Sequence, residues 1–272
     1  MKRPDLDALI RIAREASEVV LEVYRAPFAV DFKAPSDPVT EADRRANDLI
    51  CARLADEFPG IPIVAEESAP ETFAGYRDSE LIFFVDPLDG TRDFVLKNGE
   101  FVVMIGLVDG ERSALGVVHG PEAGLTWAGE LGVGAFEIAA DGARRSLSVS
   151  QVASLSEARV VASRSHRSPE TEEALRGLGA RELLTLGSAG LKGSRVASGL
   201  VEAYVSPFYA GKRWDACAAD ALVHAAGGKV TDAHGDAFDY RAADLGNTHG
   251  LLASNGVLHG ALLARLAARR SA

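Results

Sequence analysis

Two aspartates separated by Pro-Leu, Asp86 and Asp89, close an apolar run from Leu81 to Val85 and open onto Gly90-Thr91. The run is bulky and partly β-branched, which predicts a strand buried on both faces. Pro87 removes a ladder donor and predicts the strand's end, with both acids in the turn beyond it. Asp89-Gly90-Thr91 then reads as the entry to a helix, whose first amides, those of Gly90 and Thr91, have no partner within the helix and suit a phosphate. Two carboxylates beside a phosphate repel it unless cations lie between, so the same corner asks for metal. Hard oxygen ligands of this kind favour Mg2+. Taken alone, Asp-Pro and Asp-Gly are also ordinary turn punctuation.

Other residues carry chemistry elsewhere in the chain. Ile61 to Ala65 reads as a short strand ending in Glu66-Glu67, which offers the third carboxylate that a shared metal site needs. Asp215 opens a helix after Trp214, and by itself is an acid complementing a helix dipole. Thr40 and Asp43 have the spacing of a capping pair. Lys33, just upstream, reads first as a solvated lysine, though a loop residue there could approach the site. His234, His249 and His259 have no partners at ligand spacing. Cys51 and Cys217 form no Cys-x-x-Cys or Cys/His grouping and read as structural. Gly211-Lys212 is no Walker loop, since Arg213 stands where Ser or Thr is required and Ser206 where the first glycine belongs.

The chain has 272 residues and a net charge of -10. That is long enough for one large core or two modest domains. The acidic balance argues against a nucleic-acid polymer as partner, because counterion release needs clustered Lys and Arg. Pro4-Asp5-Leu6-Asp7 follows Met1-Lys2-Arg3 where an export signal would be apolar, and nowhere do about 18 apolar residues run together. The expectation is a cytoplasmic protein without a membrane span.

The elements that must position these groups are legible in outline. Apolar residues at helical spacing predict a helix over 5–25, ended before Pro27, and a second beginning near Thr40 with Ala46, Ile50, Leu54 and Phe58 on one face. The segment from Phe32 to Pro38 is too proline-rich for regular structure. Asp109-Gly110 between two apolar runs predicts a hairpin, and further antiparallel strands follow to about residue 140. From about residue 150 strands and helices alternate, which predicts an α/β second half. The expected organisation is an α+β metal-binding subdomain over 1–150 and an α/β subdomain over 151–272 that completes the site.

Asp86-Pro87-Leu88-Asp89-Gly90-Thr91 after an apolar strand resembles the signature of the lithium-sensitive, Mg2+-dependent phosphatases of the inositol monophosphatase superfamily. Trp214-Asp215 with Ala218-Ala219 and Gly227-Gly228 is similar to that family's second signature, over a hundred residues away. The resemblance implies a sandwich of alternating helix and sheet layers. It implies two or three Mg2+ held by Glu66, Asp86, Asp89, Asp215 and the carbonyl of Leu88, with Glu67 as a supporting acid. It also implies that Asp43 bonds Thr91 to activate a water beside Glu66, that Gly90 and Thr91 meet the phosphate, and that Li+ inhibits. A homodimer is compatible with it.

Within the superfamily three strings, Asn98-Gly99-Glu100-Phe101, Ser163-Arg164-Ser165-His166 and Gly187-Ser188-Ala189-Gly190-Leu191-Lys192, resemble bacterial 3'(2'),5'-bisphosphate nucleotidases. By that resemblance the substrate is adenosine 3',5'-bisphosphate, cleaved to AMP and phosphate, with His166 near the nucleoside and Ser188 and Lys192 on the 5'-phosphate. One departure is visible: the basic Pro-Arg-Phe of those nucleotidases reads Ser206-Pro207-Phe208, so Lys212 or Arg213 is expected to supply the charge. The alternative is an inositol or sugar phosphatase of the same superfamily, although residues 205–213 lack the acid that inositol phosphatases place there.

Overall fold

The computed structural model describes residues 3–34, 37–73, 75–165 and 167–270. Helix α1 (Leu6–Arg25) starts where Asp5 accepts from the Ala8 amide, and it buries Leu9, Ile12 and Val20 completely. Each such side chain removed from water is worth about 2 kcal/mol. Strands β1 (Val30–Ala34) and β2 (Asp37–Thr40) form an antiparallel pair ahead of α2 (Glu41–Glu57), so the segment expected to lack regular structure contains a two-stranded ribbon. Pro38 lies opposite Phe32 in it. A small, isolated ribbon can hold a proline at little cost because no third strand needs its missing donor.

A seven-stranded sheet follows in the order β3 (Ile63–Ala65), β4 (Leu81–Asp89), β5 (Val102–Asp109), β6 (Arg112–Gly120), β7 (Leu125–Glu130), β8 (Gly134–Ile138) and β9 (Arg144–Leu147). Only β3 and β4 are parallel in it. Asp109-Gly110 makes the expected hairpin, with Asp109 paired to Arg112. Along β4, Phe83 and Val85 pack with α1 and α2, while Ile82 and Phe84 face the opposite layer, as the two-residue period of a strand requires.

That opposite layer is α5 (Ala189–Ala197) and α6 (Arg213–Ala225). Beyond it lies a five-stranded sheet, ordered β11 (Glu182–Leu186), β10 (Arg159–Ser163), β12 (Ala203–Ser206), β14 (Leu251–Ser254) and β13 (Lys229–Thr231). Its outer face carries Leu175 of α4 (Pro169–Arg176) and Leu262 and Leu266 of α7 (His259–Arg270). The layers therefore alternate helix, sheet, helix, sheet, helix. The two sheets divide between Leu147 and Arg159, yet one apolar cluster joins Phe84 and Met104 of the first to Val161 and Tyr204 of the second through α5 and α6.

Helix α6 lies unusually close to the first sheet. A Cβ at Gly116 would stand 2.1 Å from the Ala218 carbonyl oxygen, and one at Gly129 would stand 2.7 Å from the Leu222 Cα. The absent side chains set the depth of α6, and with it the position of Asp215.

Candidate active site

The parallel pair β3 and β4 brings two strand ends side by side, and the Glu66 amide donates to the Val85 carbonyl at 3.0 Å. Pro87 does not end the ladder. Asp86 pairs with Met104 and Asp89 with Val102, the register shifting between them, so the two acids sit in a bulge within the strand. A bulge re-aims side chains without breaking the sheet. The Asp86 carboxylate accepts from the Leu88 amide at 3.0 Å, which turns the Pro-Leu segment over. Gly90, at φ +98°, then starts the short helix α3 (Thr91–Val95).

Helix α6 delivers Asp215 from the other layer. Its carboxylate accepts from the Lys212 amide at 2.6 Å, a capping role at the helix start where the sequence reads an acid complementing the dipole. It coexists with a second one. One carboxylate oxygen from each of Asp86, Asp89 and Asp215 lies within 4.8 Å of the others, the one such His/Cys/Asp/Glu group among the described residues. Asp86 is 1 % exposed and Asp89 8 %.

Burial and mutual repulsion hold Asp86 and Asp215 away from the ionised form. Burial, then Glu66, Asp89 and Asp215, push the Asp86 carboxyl well above the usual range, and burial followed by Glu66 and Asp89 does the same to Asp215. Glu66 is also raised, by burial and Glu67, against the opposing pull of Lys33. Such a cluster is unfavourable at neutral pH without positive charge inside it, and its donors are all hard oxygens. It therefore fits a divalent cation of the Mg2+ type.

Lys33 reaches the same place from β1. Its ammonium donates to Glu66 Oε1 and Glu67 Oε1, both at 2.7 Å, and these acids raise it above its ordinary value although burial opposes the charge. The sequence favours a solvated lysine, because nothing local reveals that β1 brings it to the turn after β3.

Asp43 does two things at once. Its Oδ2 accepts from the Thr40 amide and hydroxyl, each at 2.7 Å, which caps α2. Its Oδ1 accepts from the Thr91 hydroxyl at 2.9 Å. The Thr91 hydroxyl is also 3.1 Å from the Leu88 carbonyl oxygen.

The substrate contacts expected from the sequence fare differently. His166 lies outside the described residues. Arg213 is tied into the fold: its guanidinium donates through Nε to the Asp239 carbonyl and through Nη1 to the Gly246 carbonyl, each at 3.0 Å, and to Asn247 Oδ1, joining α6 to the 239–247 loop. These bonds engage three of its five N–H donors. Lys192 is 3 % exposed and donates to the carbonyls of Gly187 and Ser188 at 2.5 and 2.8 Å. Burial lowers it to about 8 against the charges of Asp89, Asp93, Asp215 and Glu100. The Ser188 hydroxyl donates to Asp89 Oδ2 at 2.5 Å. Direct contact of these two with a 5'-phosphate is thus not what their polar atoms make here.

The three nucleotidase-like strings meet behind Asp89. Arg164 donates to Asp93 at 2.8 Å and to Glu100 at 2.6 Å, and Glu100 accepts from the Gly187 amide at 2.6 Å. Among other cations near the acids, Lys212 is exposed with its ammonium 5.0 Å over the Trp214 ring. It lines a cavity of about 1010 Å3 that opens beside Glu66, between the 68–78 segment and the 239–246 loop. The stacked rings of His234 and His249, 4.6 Å apart, stand apart from the acid cluster.

A strand end, a bulge and a helix start converging on a metal-demanding acid cluster, with a Thr–Asp pair beside it, describe a metal-dependent hydrolytic centre. The profile of the inositol monophosphatase family matches residues 1–271, and the chain belongs to that family. It is 35% identical over 237 residues to the 3'(2'),5'-bisphosphate nucleotidase CysQ of Escherichia coli K12, covering 86% of this chain and 93% of the relative. Among solved structures it resembles CysQ from Bacteroides thetaiotaomicron, with a TM-score of 0.79, 29% identity and coverage of 92% and 97%. An IMPase from Thermotoga maritima superposes with a TM-score of 0.82 at 28% identity, covering 98% of each chain. No helix among the described residues is long and apolar enough to cross a membrane.

Proposed function

We propose that the chain is a Mg2+-dependent phosphomonoesterase that removes the 3'-phosphate of adenosine 3',5'-bisphosphate, giving AMP and phosphate. The observation that carries the reaction class is the convergence of Asp86, Asp89 and Asp215 beside the Asp43–Thr91 hydrogen bond. The similarity to CysQ over most of the chain supports the nucleotide. A cytoplasmic location and a homodimer are carried with the proposal.

In this reading Glu66, Asp86, the Leu88 carbonyl, Asp89 and Asp215 hold two or three Mg2+. When bound, the ions polarise the ester and offset the charge that develops on its oxygens. The chain's own groups orient the attack. Thr91 gives its proton to Asp43 Oδ1, which turns a hydroxyl lone pair outward to accept from a water. Glu66, across the site, holds that water from the other side. Burial raises the Asp43 carboxyl, so it is a better proton acceptor than an exposed aspartate, even with Thr40 and Thr91 opposing the shift. The Gly90 and Thr91 amides meet the phosphate at the start of α3, and no covalent phosphoenzyme is needed. With Arg213 tied to the 239–247 loop through Nε and Nη1 and Lys212 exposed, Lys212 is the cation we assign to the second phosphate.

The test is kcat/KM for adenosine 3',5'-bisphosphate, inositol 1-phosphate and fructose 1,6-bisphosphate at one Mg2+ concentration. The bisphosphate nucleotide should lead, Lys212→Ala should raise its KM, and Li+ at limiting Mg2+ should slow it. Asp89→Ala or EDTA should remove several orders of magnitude from turnover while the protein stays folded. Normal hydrolysis by either would end the metal assignment, and faster cleavage of inositol phosphate would replace the substrate.

A further inference from the structure

Ser188 is one of two non-glycine residues with positive φ among those described, at φ 23° and ψ 127°. A side chain in that region is strained and persists only where its surroundings enforce it. Here they do so from both sides. Lys192, buried one turn into α5, closes back on the Gly187 and Ser188 carbonyls. Glu100, held by Arg164, takes the Gly187 amide at 2.6 Å. The bent peptide between these clamps presents two donors to one oxygen: the Ser188 hydroxyl at 2.5 Å and the Gly190 amide at 2.7 Å, both to Asp89 Oδ2. The Ser188 hydroxyl also accepts from the Leu191 amide at 3.1 Å, so its proton has a fixed direction.

We infer that the Gly187–Lys192 turn is a positioning device for Asp89: Ser188 and Gly190 pin its Oδ2, and Lys192 with Glu100 holds the strained turn that aims them. This deepens the phosphatase reading and rests on it. With Oδ2 doubly bonded, Oδ1 is the oxygen of Asp89 turned to a cation, and the carboxylate cannot swing to bond a neighbouring acid. Ser188 and Lys192 are therefore positioning residues acting through Asp89, not partners of a second phosphate. Loss of an outer hydrogen bond to a metal-binding side chain typically lowers metal affinity or activity by on the order of 10–100-fold.

The experiment compares wild type with Ser188→Ala, a small change, and Lys192→Met. Mg2+ affinity is measured calorimetrically without substrate, then kcat and KM are measured for adenosine 3',5'-bisphosphate and for the monophosphate ester p-nitrophenyl phosphate. Expected for Ser188→Ala is weaker Mg2+ binding by about tenfold or more, and a kcat lowered by the same factor for both esters at fixed Mg2+, with the nucleotide KM unchanged. Lys192→Met should act in the same direction. Unchanged Mg2+ affinity, or a loss confined to KM for the bisphosphate, would overturn the inference and return these residues to the second phosphate. If wild type cleaves neither ester, the functional reading fails while the Mg2+ titration still decides the role of Ser188.

Discussion

Asp43 serves two neighbours because a carboxylate has two oxygens, and the fold points them in different directions. Oδ2 closes the α2 cap with Thr40 and Oδ1 takes the Thr91 proton. The capping role holds Asp43 in a single rotamer, so the second role is pre-organised by the first. Thr91→Ala should then lower kcat by about 10^2–10^4, the usual range for losing a positioned proton acceptor. Mg2+ affinity measured calorimetrically should stay near wild type, since Thr91 contributes no carboxylate. A parallel fall in Mg2+ affinity would mean that Thr91 acts by holding the Leu88 carbonyl instead.

Three elements shape the acid cluster, and each is placed by packing instead of by its own sequence. Strand β3 is only three residues long, and its pairing with β4 sets Glu66 beside Asp86. Helix α6 reaches the sheet because Gly116 and Gly129 leave room for its backbone. The β1–β2 ribbon lends Lys33 to Glu66 and Glu67, just past β3. That ammonium sits on an acid proposed to hold metal, so ribbon and cation compete for it. Lys33→Met should bind Mg2+ roughly 3–10-fold more tightly without substrate, the equivalent of about 1 kcal/mol for a partly exposed pair. Calorimetric titration reads this directly, and equal or weaker binding would show that Lys33 does not occupy the cation's place.

The whole molecule responds to pH through groups on both sides of the core. His119 and His259 are buried, each lowered to about 4 chiefly by burial. The unfolded chain binds their protons below about 6.5 while the folded chain does not until about 4, so their contribution is intact above that window and is lost as pH falls through it. At pH 5 each should cost about 2 kcal/mol relative to pH 7. Urea melts of His259→Gln should therefore fall less than wild type between pH 7 and pH 5 by about that amount; an equal fall would mean that His259 is already charged in the fold. Asp86 and Asp215 act with the opposite sign. Their raised carboxyls favour the metal-free fold below the ordinary value of 3.8, an advantage lost as pH rises through the raised ones. Mg2+ must displace those protons, so its effect on Tm should grow from pH 5 to pH 8.

The sequence by itself determined what depends on neighbours in the chain. The α1 and α2 periodicities, the Asp109-Gly110 hairpin and the place of Asp215 at a helix start are local patterns, and each stands where local rules put it; the strand end expected at Pro87 does not, because β4 pairs again at Asp89 across a bulge. The capping reading of Asp43 was local as well, and it holds. Only the tertiary structure decided what each side chain faces across layers. Arg213 looked available because its acceptors, the carbonyls of Asp239 and Gly246, come from a loop more than two dozen residues downstream. Lys33 looked solvated because its partners lie in the turn after β3, some thirty residues on, and Lys192 looked like a phosphate ligand because only packing against Tyr204 and the 187–188 carbonyls buries it. A carboxylate or ammonium carries the same charge in any fold. Which partner meets that charge is set by contacts far apart in the chain, and spacing along the chain does not encode them.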